Sequence, residues 1–170
     1  QLLTALIQVH REGISSKVSF NAFLSDLIKQ YPHYANLGMV NTNADLLYSA
    51  IPSSGPVNYS DRSWFKRAIQ RRDFVIGDYV IGRLANRGIL PFAHPDVSDT
   101  GQIRAIFFGA IDLVWLNQLV AKTELPEGAA LTVVDHNGMI LARYPEPEKW
   151  VGKILPETAI IHTILTQGEG

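Results

Sequence analysis

The chain has 170 residues, 46% of them hydrophobic and 18% charged, with a formal net charge of -1 and no cysteine. That composition supplies a sizeable core and excludes wholesale disorder. Near-neutral charge argues against a nucleic-acid or anionic-membrane surface, and the lack of cysteine excludes a disulfide and a thiolate zinc site.

Residues 1–30 are predicted to be helical. Leu2, Leu3, Leu6 and Ile7 begin one piece. Phe20, Phe23, Leu24, Leu27 and Ile28 form the apolar face of a second, Gly13 with Ser15 and Ser16 separates the two, and Pro32 ends the second. Leu37 to Val40 and Leu46 to Ala50 read as a hairpin. A loop rich in Pro, Ser and Gly follows. Ser60 or Asp61 is expected to cap a short helix reaching about Gln70, with Arg67, Arg71 and Arg72 near its end, where cations suit the helix dipole. Strands are predicted at Phe74 to Val80, Ile89 to His94 and Ile103 to Ile111, the last two joined by a turn over Asp96 to Gly101. Val114 to Thr123 reads as a helix. Leu131 to Val134 and Met139 to Arg143 flank Asp135-His136-Asn137-Gly138 in a second hairpin. Pro156 to Gln167 is expected to form a final helix. Val40–Leu47 can be laid over Val134–Leu141, which suggests two modules of one kind in tandem or two converged hairpins. The longest apolar stretch, Ala105 to Leu116, is too short to span a bilayer. With no signal-peptide pattern at Gln-Leu-Leu and an abrupt Gly-Glu-Gly ending, the chain is expected to be a piece of something longer.

Enzyme signatures such as a P-loop, a G-x-S-x-G elbow or an H-E-x-x-H helix are absent from the sequence. His10, His33, His94, His136 and His162 are dispersed without ligand spacing, so neither a metal nor a cofactor is expected. The run Asp61-Arg62-Ser63-Trp64-Phe65 carries more information. Arg62 offers a planar fork for a carboxylate, Trp64 an indole N–H and a wall, and the helix N-terminus a positive dipole. The same residues also suit a helix whose aromatics pack on the sheet, with Arg62 solvated or paired to Asp61. Asp112 ends an apolar strand, as the N-cap of the next helix, as a buried acceptor for a ligand cation, or as both.

Several segments, in order, resemble the double Cache sensor domains of bacterial histidine kinases, diguanylate cyclases and chemoreceptors. They are Tyr34–Gly38, Ser60–Ala68, Gly77–Arg83, Phe92–Pro95 with Asp99 and Gly101, and Ala110–Leu116. Val134–Gly138 and Trp150–Lys153 resemble the start of the second module. The resemblance covers nearly the whole chain and rests on no single motif. It implies an α+β fold: a long N-terminal helix (1–30), a membrane-distal PAS-like antiparallel sheet module that holds the ligand (31–123), and the start of a truncated proximal module (124–170). It also implies a periplasmic sensor fragment of an inner-membrane signal-transduction receptor. The fragment would bind a small metabolite such as an amino acid, a carboxylate or an amine. It would have no enzyme activity, no cofactor, no nucleic-acid partner, membrane attachment only through segments outside this sequence, and a homodimer as its candidate assembly. By motif position the resemblance assigns Arg62, Trp64 and Tyr79 to a ligand carboxylate and Asp112 to an amino group, with Phe65 a further ligand-binding candidate beside them. His94 is a candidate at the pocket mouth, where it would make binding pH-sensitive, or a solvated histidine. Arg83 lies in a loop that could close over a ligand, or is an exposed loop charge. Phe65 stands where a tyrosine is common and Val57 near where another ligand tyrosine is expected. These departures weigh against an α-amino acid and leave carboxylates and polyamines open. The alternative function is a ligand-free dimerisation or protein-interaction module, which predicts an occluded or featureless pocket around Arg62.

Overall fold

Apolar spacing at the N-terminus produces two helices, α1 (Leu2–Arg11) and α2 (Lys17–Gln30), in the computed structural model, which describes residues 2–13 and 17–155. Leu3, Leu6 and Ile7 of α1 and Phe20 and Leu24 of α2 are buried with Leu37, Met39, Ala105 and Phe107. Each large side chain in this layer contributes about 1.5–3 kcal/mol by leaving water. His10 joins it, its ring edge-on to Phe20, Tyr48 and Phe107 at 5.2, 5.5 and 5.7 Å. Arg11 reaches the buried carboxylate of Asp96 and donates to the Val97 carbonyl at 3.0 Å, which compensates a charge that would otherwise be stranded.

The sheet on which these helices lie is antiparallel, in the order β2-β1-β6-β5-β3, with β4 also paired to β5. Its strands are β1 (Tyr34–Val40), β2 (Leu46–Ser49), β3 (Val75–Ile76), β4 (Val80–Ile81), β5 (Gly88–Val97) and β6 (Ile103–Asp112). Alternation along the strands builds two cores. Ala105 and Phe107 face α1 and α2. Ile106 and Phe108 face a second layer that contains Trp64, Phe65 and Ala68 of α3 (Ser63–Arg71). A strand covered on both faces reads as an unbroken apolar run, and β6 does so from Ala105 to Ile111.

Three expectations are corrected. The strand predicted over Phe74 to Val80 is two short strands, β3 and β4. Between them Gly77 donates to the Pro91 carbonyl at 2.7 Å, and a Cβ on Gly77 would come within 2.9 Å of Trp64 Cβ. Asp78 is drawn out to Arg67, so the chain leaves the ladder there. Asp96 and Val97 continue β5, and the turn is closed by Ser98 N–H on the Gln102 carbonyl at 2.8 Å. Neither Ser60 nor Asp61 caps α3. Arg62 holds the N-cap position in extended conformation, with no side-chain cap bond.

The internal echo is physical. Val40 pairs with Leu46 after a bulge at Met39/Val40, and Val134 pairs with Ile140 after a bulge at Val133/Val134. Asn41 Oδ1 accepts from the amides of Asn43 and Asp45 at 2.9 and 2.8 Å. Asp135 Oδ1 accepts from those of Asn137 and Met139 at 2.9 and 3.0 Å. Each turn holds its fourth residue at positive φ, Ala44 at 69° and Gly138 at 76°.

The chain divides into compact units at Asp112/Leu113, not after Thr123. The second unit contains α4 (Leu113–Ala121), β7 (Leu131–Val134), β8 (Ile140–Tyr144) and the short α5 (Pro147–Trp150), which the sequence reading missed. Asn117 explains why α4 belongs here: its side chain donates to the Leu141 carbonyl at 3.2 Å and accepts from the Arg143 amide at 3.1 Å. The helix expected at Pro156 to Gln167 lies outside the described residues. No described helix is long and apolar enough to cross a membrane.

Candidate ligand-binding site

Amphipathic α3 turns Trp64 onto the sheet, where the indole is only 3% exposed. Its ring lies 5.6 Å from that of Tyr59 and 5.2 Å from that of Phe108. These three aromatics, with Asn36, Pro91 and Ala110, wall a cavity of about 30 Å³, closed by the loop Gly82-Arg83-Leu84-Ala85. Such a volume holds about one water molecule. A metabolite therefore enters only if the loop lifts.

Local bonds shape that loop. The amides of Gly82 and Asn86 donate to the carbonyls of Arg87 and Gly82 at 2.9 and 2.8 Å, and Asn86 sits at φ 50°. Charges then fasten it. Arg83 donates to Asp61 Oδ2 at 2.9 Å, engages the Asn58 carbonyl, and stacks 5.4 Å over the Tyr59 ring. Arg62 reaches the Ile81 carbonyl at 3.4 Å and lies 3.8 Å from Asp61. Arg87 meets Asp112 at 2.9 Å, where the carboxylate side chain is 8% exposed. The hydrogen bond from Arg83 holds the Asp61 carboxyl below its usual range, while burial pushes the Tyr59 hydroxyl up.

The expected residues meet this geometry unevenly. Trp64 lines the cavity. Arg62 flanks it, half-buried, at the start of α3. Asp112 lies on the same face of β6 as Phe108 and Ala110, two residues beyond the latter, and is the last residue of the strand. Phe65 is buried in the α3 core, and Tyr79 is half-buried in the link between β3 and β4; neither lines the cavity. His94 goes elsewhere. Ala93 packs in the α3 core, so the next residue of the strand must face the other side. There His94 borders a larger, apolar cavity of about 330 Å³ with Leu2, Leu3, Tyr34, Phe74, Phe92 and Ile111. Its Nδ1 lies 3.0 Å from the Pro95 carbonyl. The sheet separates it from Trp64.

Two contributors were undervalued. Tyr59, two residues beyond Val57, supplies an aromatic hydroxyl in this region: its ring lines the cavity beside Trp64, while Val57 packs at the edge of the same core. Arg87 was not singled out, since nothing in its local spacing marks a partner twenty-five positions away at Asp112.

No family model matches the chain, and no curated protein matches it in sequence. Solved structures do match. One is the extracellular domain of a protein assigned as a histidine kinase, with 15% identity and a TM-score of 0.82 over 98% of this chain and 69% of that one. Another is an extracellular ligand-binding receptor from Desulfohalobium retbaense, with 14% identity and a TM-score of 0.77 over 98% of this chain and 31% of that one. A third is the ligand-binding domain of a Pseudomonas aeruginosa amino-acid chemoreceptor in complex with GABA, with 17% identity and a TM-score of 0.66 over 91% and 69%. The chain thus has the mixed helix and antiparallel-sheet, PAS-like Cache fold of extracellular sensor domains, and it spans between 31% and 69% of the length of these structures.

Proposed function

We propose that the chain is the extracytoplasmic, periplasmic sensing part of an inner-membrane signal-transduction receptor of histidine kinase, diguanylate cyclase or chemoreceptor type. It recognises a small metabolite (an amino acid, a carboxylate or an amine) in its first unit and performs no catalysis itself. The observation that carries this reading is an aromatic wall already built at Tyr59, Trp64 and Phe108 beneath a loop fastened by exchangeable charge pairs. A preformed wall supplies shape and affinity, and a loop held mainly by half-exposed contacts can open. A ligand that binds only one arrangement of the loop shifts the population toward it, and that shift is the signal. The GABA complex of a chemoreceptor with this fold supports the same reading. The small size of the cavity is also what a ligand-free dimerisation or interaction module would show.

Thermal-shift screening against amino acids, short carboxylates and polyamines separates the two. A stabilising compound whose effect disappears in Arg62→Ala supports the sensor. A cooperative melt unmoved by every compound overturns it in favour of the interaction module.

A further inference from the structure

Resting on the ligand site proposed above, we infer that Arg87 sets its selectivity: the site takes a small carboxylate without an amino group, because Arg87 already occupies the buried carboxylate of Asp112.

Arg83 lines the cavity and holds Asp61; Arg62 stands two residues before the lining Trp64, and the pair Arg87–Asp112 stands beside the lining Ile89 and Ala110, so three guanidiniums and two carboxylates lie at or next to the cavity and its loop. Asp61 is engaged by Arg83 and Asp112 by Arg87, each at 2.9 Å. Among the described residues the Arg62 side chain keeps only long contacts, 3.4 Å to the Ile81 carbonyl and 3.8 Å to Asp61. The set carries one net positive charge, and its least tightly engaged member, Arg62, flanks Trp64. A ligand carboxylate finds that fork without breaking a short pair. A ligand ammonium has one buried anion to meet, Asp112, and must first displace Arg87 from it. Arg87 comes from the chain itself and so acts as a tethered competitor at high local concentration. Its side chain is 48% exposed, so it can be displaced into water, and the penalty on an ammonium is finite. The same logic disfavours polyamines, which bring two or more cations to a site of positive charge.

The test uses matched pairs that differ by one amino group, propionate against alanine and butyrate against 4-aminobutyrate, titrated calorimetrically into the wild-type chain, Arg87→Gln and Arg87→Lys. The expected result is that the wild type favours the plain carboxylate of at least one pair by about tenfold or more. Arg87→Gln should shift the ratio toward the amino compound by about tenfold, and Arg87→Lys should keep the wild-type order. A wild-type preference for the amino compounds, or a ratio unchanged in Arg87→Gln, overturns the role of Arg87 while leaving the ligand site standing. Absence of binding by all three proteins overturns the selectivity proposed here, and the ligand-site reading falls with it when the thermal-shift screen is also unmoved. If Arg87→Gln fails to fold, Arg87→Met, which keeps the stem and removes the cation, takes its place: the ratio should shift by the same roughly tenfold, and an unchanged ratio overturns the role.

Discussion

Two glycines face aromatic partners across the ladder, Gly38 opposite Phe108 and Gly109 opposite Phe92. Both are predicted to reject alanine on distance alone, but to different degrees. A Cβ on Gly109 would stand 2.3 Å from Phe92 Cζ, and its next two contacts, at 2.8 and 2.9 Å, are on the same ring. That ring borders the cavity of about 330 Å³, so it has somewhere to go. A Cβ on Gly38 would stand 2.5 Å from Phe108 Cζ and also 2.6 Å from the carbonyl oxygen of Tyr48, which is backbone of β2. No rotamer change relieves that second clash; β1 and β2 must part. Overpacking costs about 1–3 kcal/mol, and Gly→Ala gains about 0.4–1 kcal/mol by restricting the unfolded chain. Gly109→Ala should therefore stay within about 1 kcal/mol of wild type, and Gly38→Ala should lose about 2 kcal/mol or more. Trp64 is the only tryptophan of the first unit, so its fluorescence in a Trp115→Phe, Trp150→Phe background isolates that unit during urea unfolding. The midpoint should fall much further for Gly38→Ala at unchanged slope. Equal losses, or the larger loss for Gly109→Ala, would refute the reasoning.

Asp61→Asn should loosen the loop and speed amide hydrogen exchange across residues 82–87 at neutral pH; unchanged exchange rates would count against the Arg83 clasp. Because the folded Asp61 carboxyl titrates below its unfolded value of about 3.9, the clasp contributes above that pH and is lost as pH falls through the folded value, so the wild type should show the same loosening only in acid. Gly138→Ala should cost the second hairpin about 1 kcal/mol, since its φ of 76° suits glycine, and a midpoint unmoved in Trp115 and Trp150 fluorescence would contradict that.

Helices α1 and α2 and both hairpins were legible because each is a local pattern, apolar spacing in one case and a turn sequence between apolar runs in the other. The duplicated hairpin was legible for the same reason, and the structure adds that the Asn41 and Asp135 side chains accept from the amides two and four residues on. Failures occurred where a distant group decides. Asp96 has turn-like chemistry, yet it stays in β5 because Arg11, far away on α1, compensates its burial. Phe74 to Val80 reads as one strand, but the close approach of Pro91 and Trp64 to Gly77 and the pull of Arg67 on Asp78 divide it.

The site divides along the same line. Trp64 could be singled out because an aromatic near a helix start, following an arginine, is a local signal. His94 was misdirected because proximity to the strand end carried no information about face, and one step along a strand reverses the face. Arg83 could be noticed as a loop charge, but its bonds to Asp61 and the Asn58 carbonyl exist only after the loop folds back over Tyr59. Arg87 is the extreme case. Its meaning lies wholly in Asp112, at the far end of β6, whose own readings, cap or cation acceptor, did not include an arginine of the same chain. A carboxylate reserved for a ligand and one already engaged by its own chain look alike in sequence, but they select opposite ligands. Charge pairing within the fold is therefore what turns a fold-level expectation of small-molecule binding into a stated ligand class.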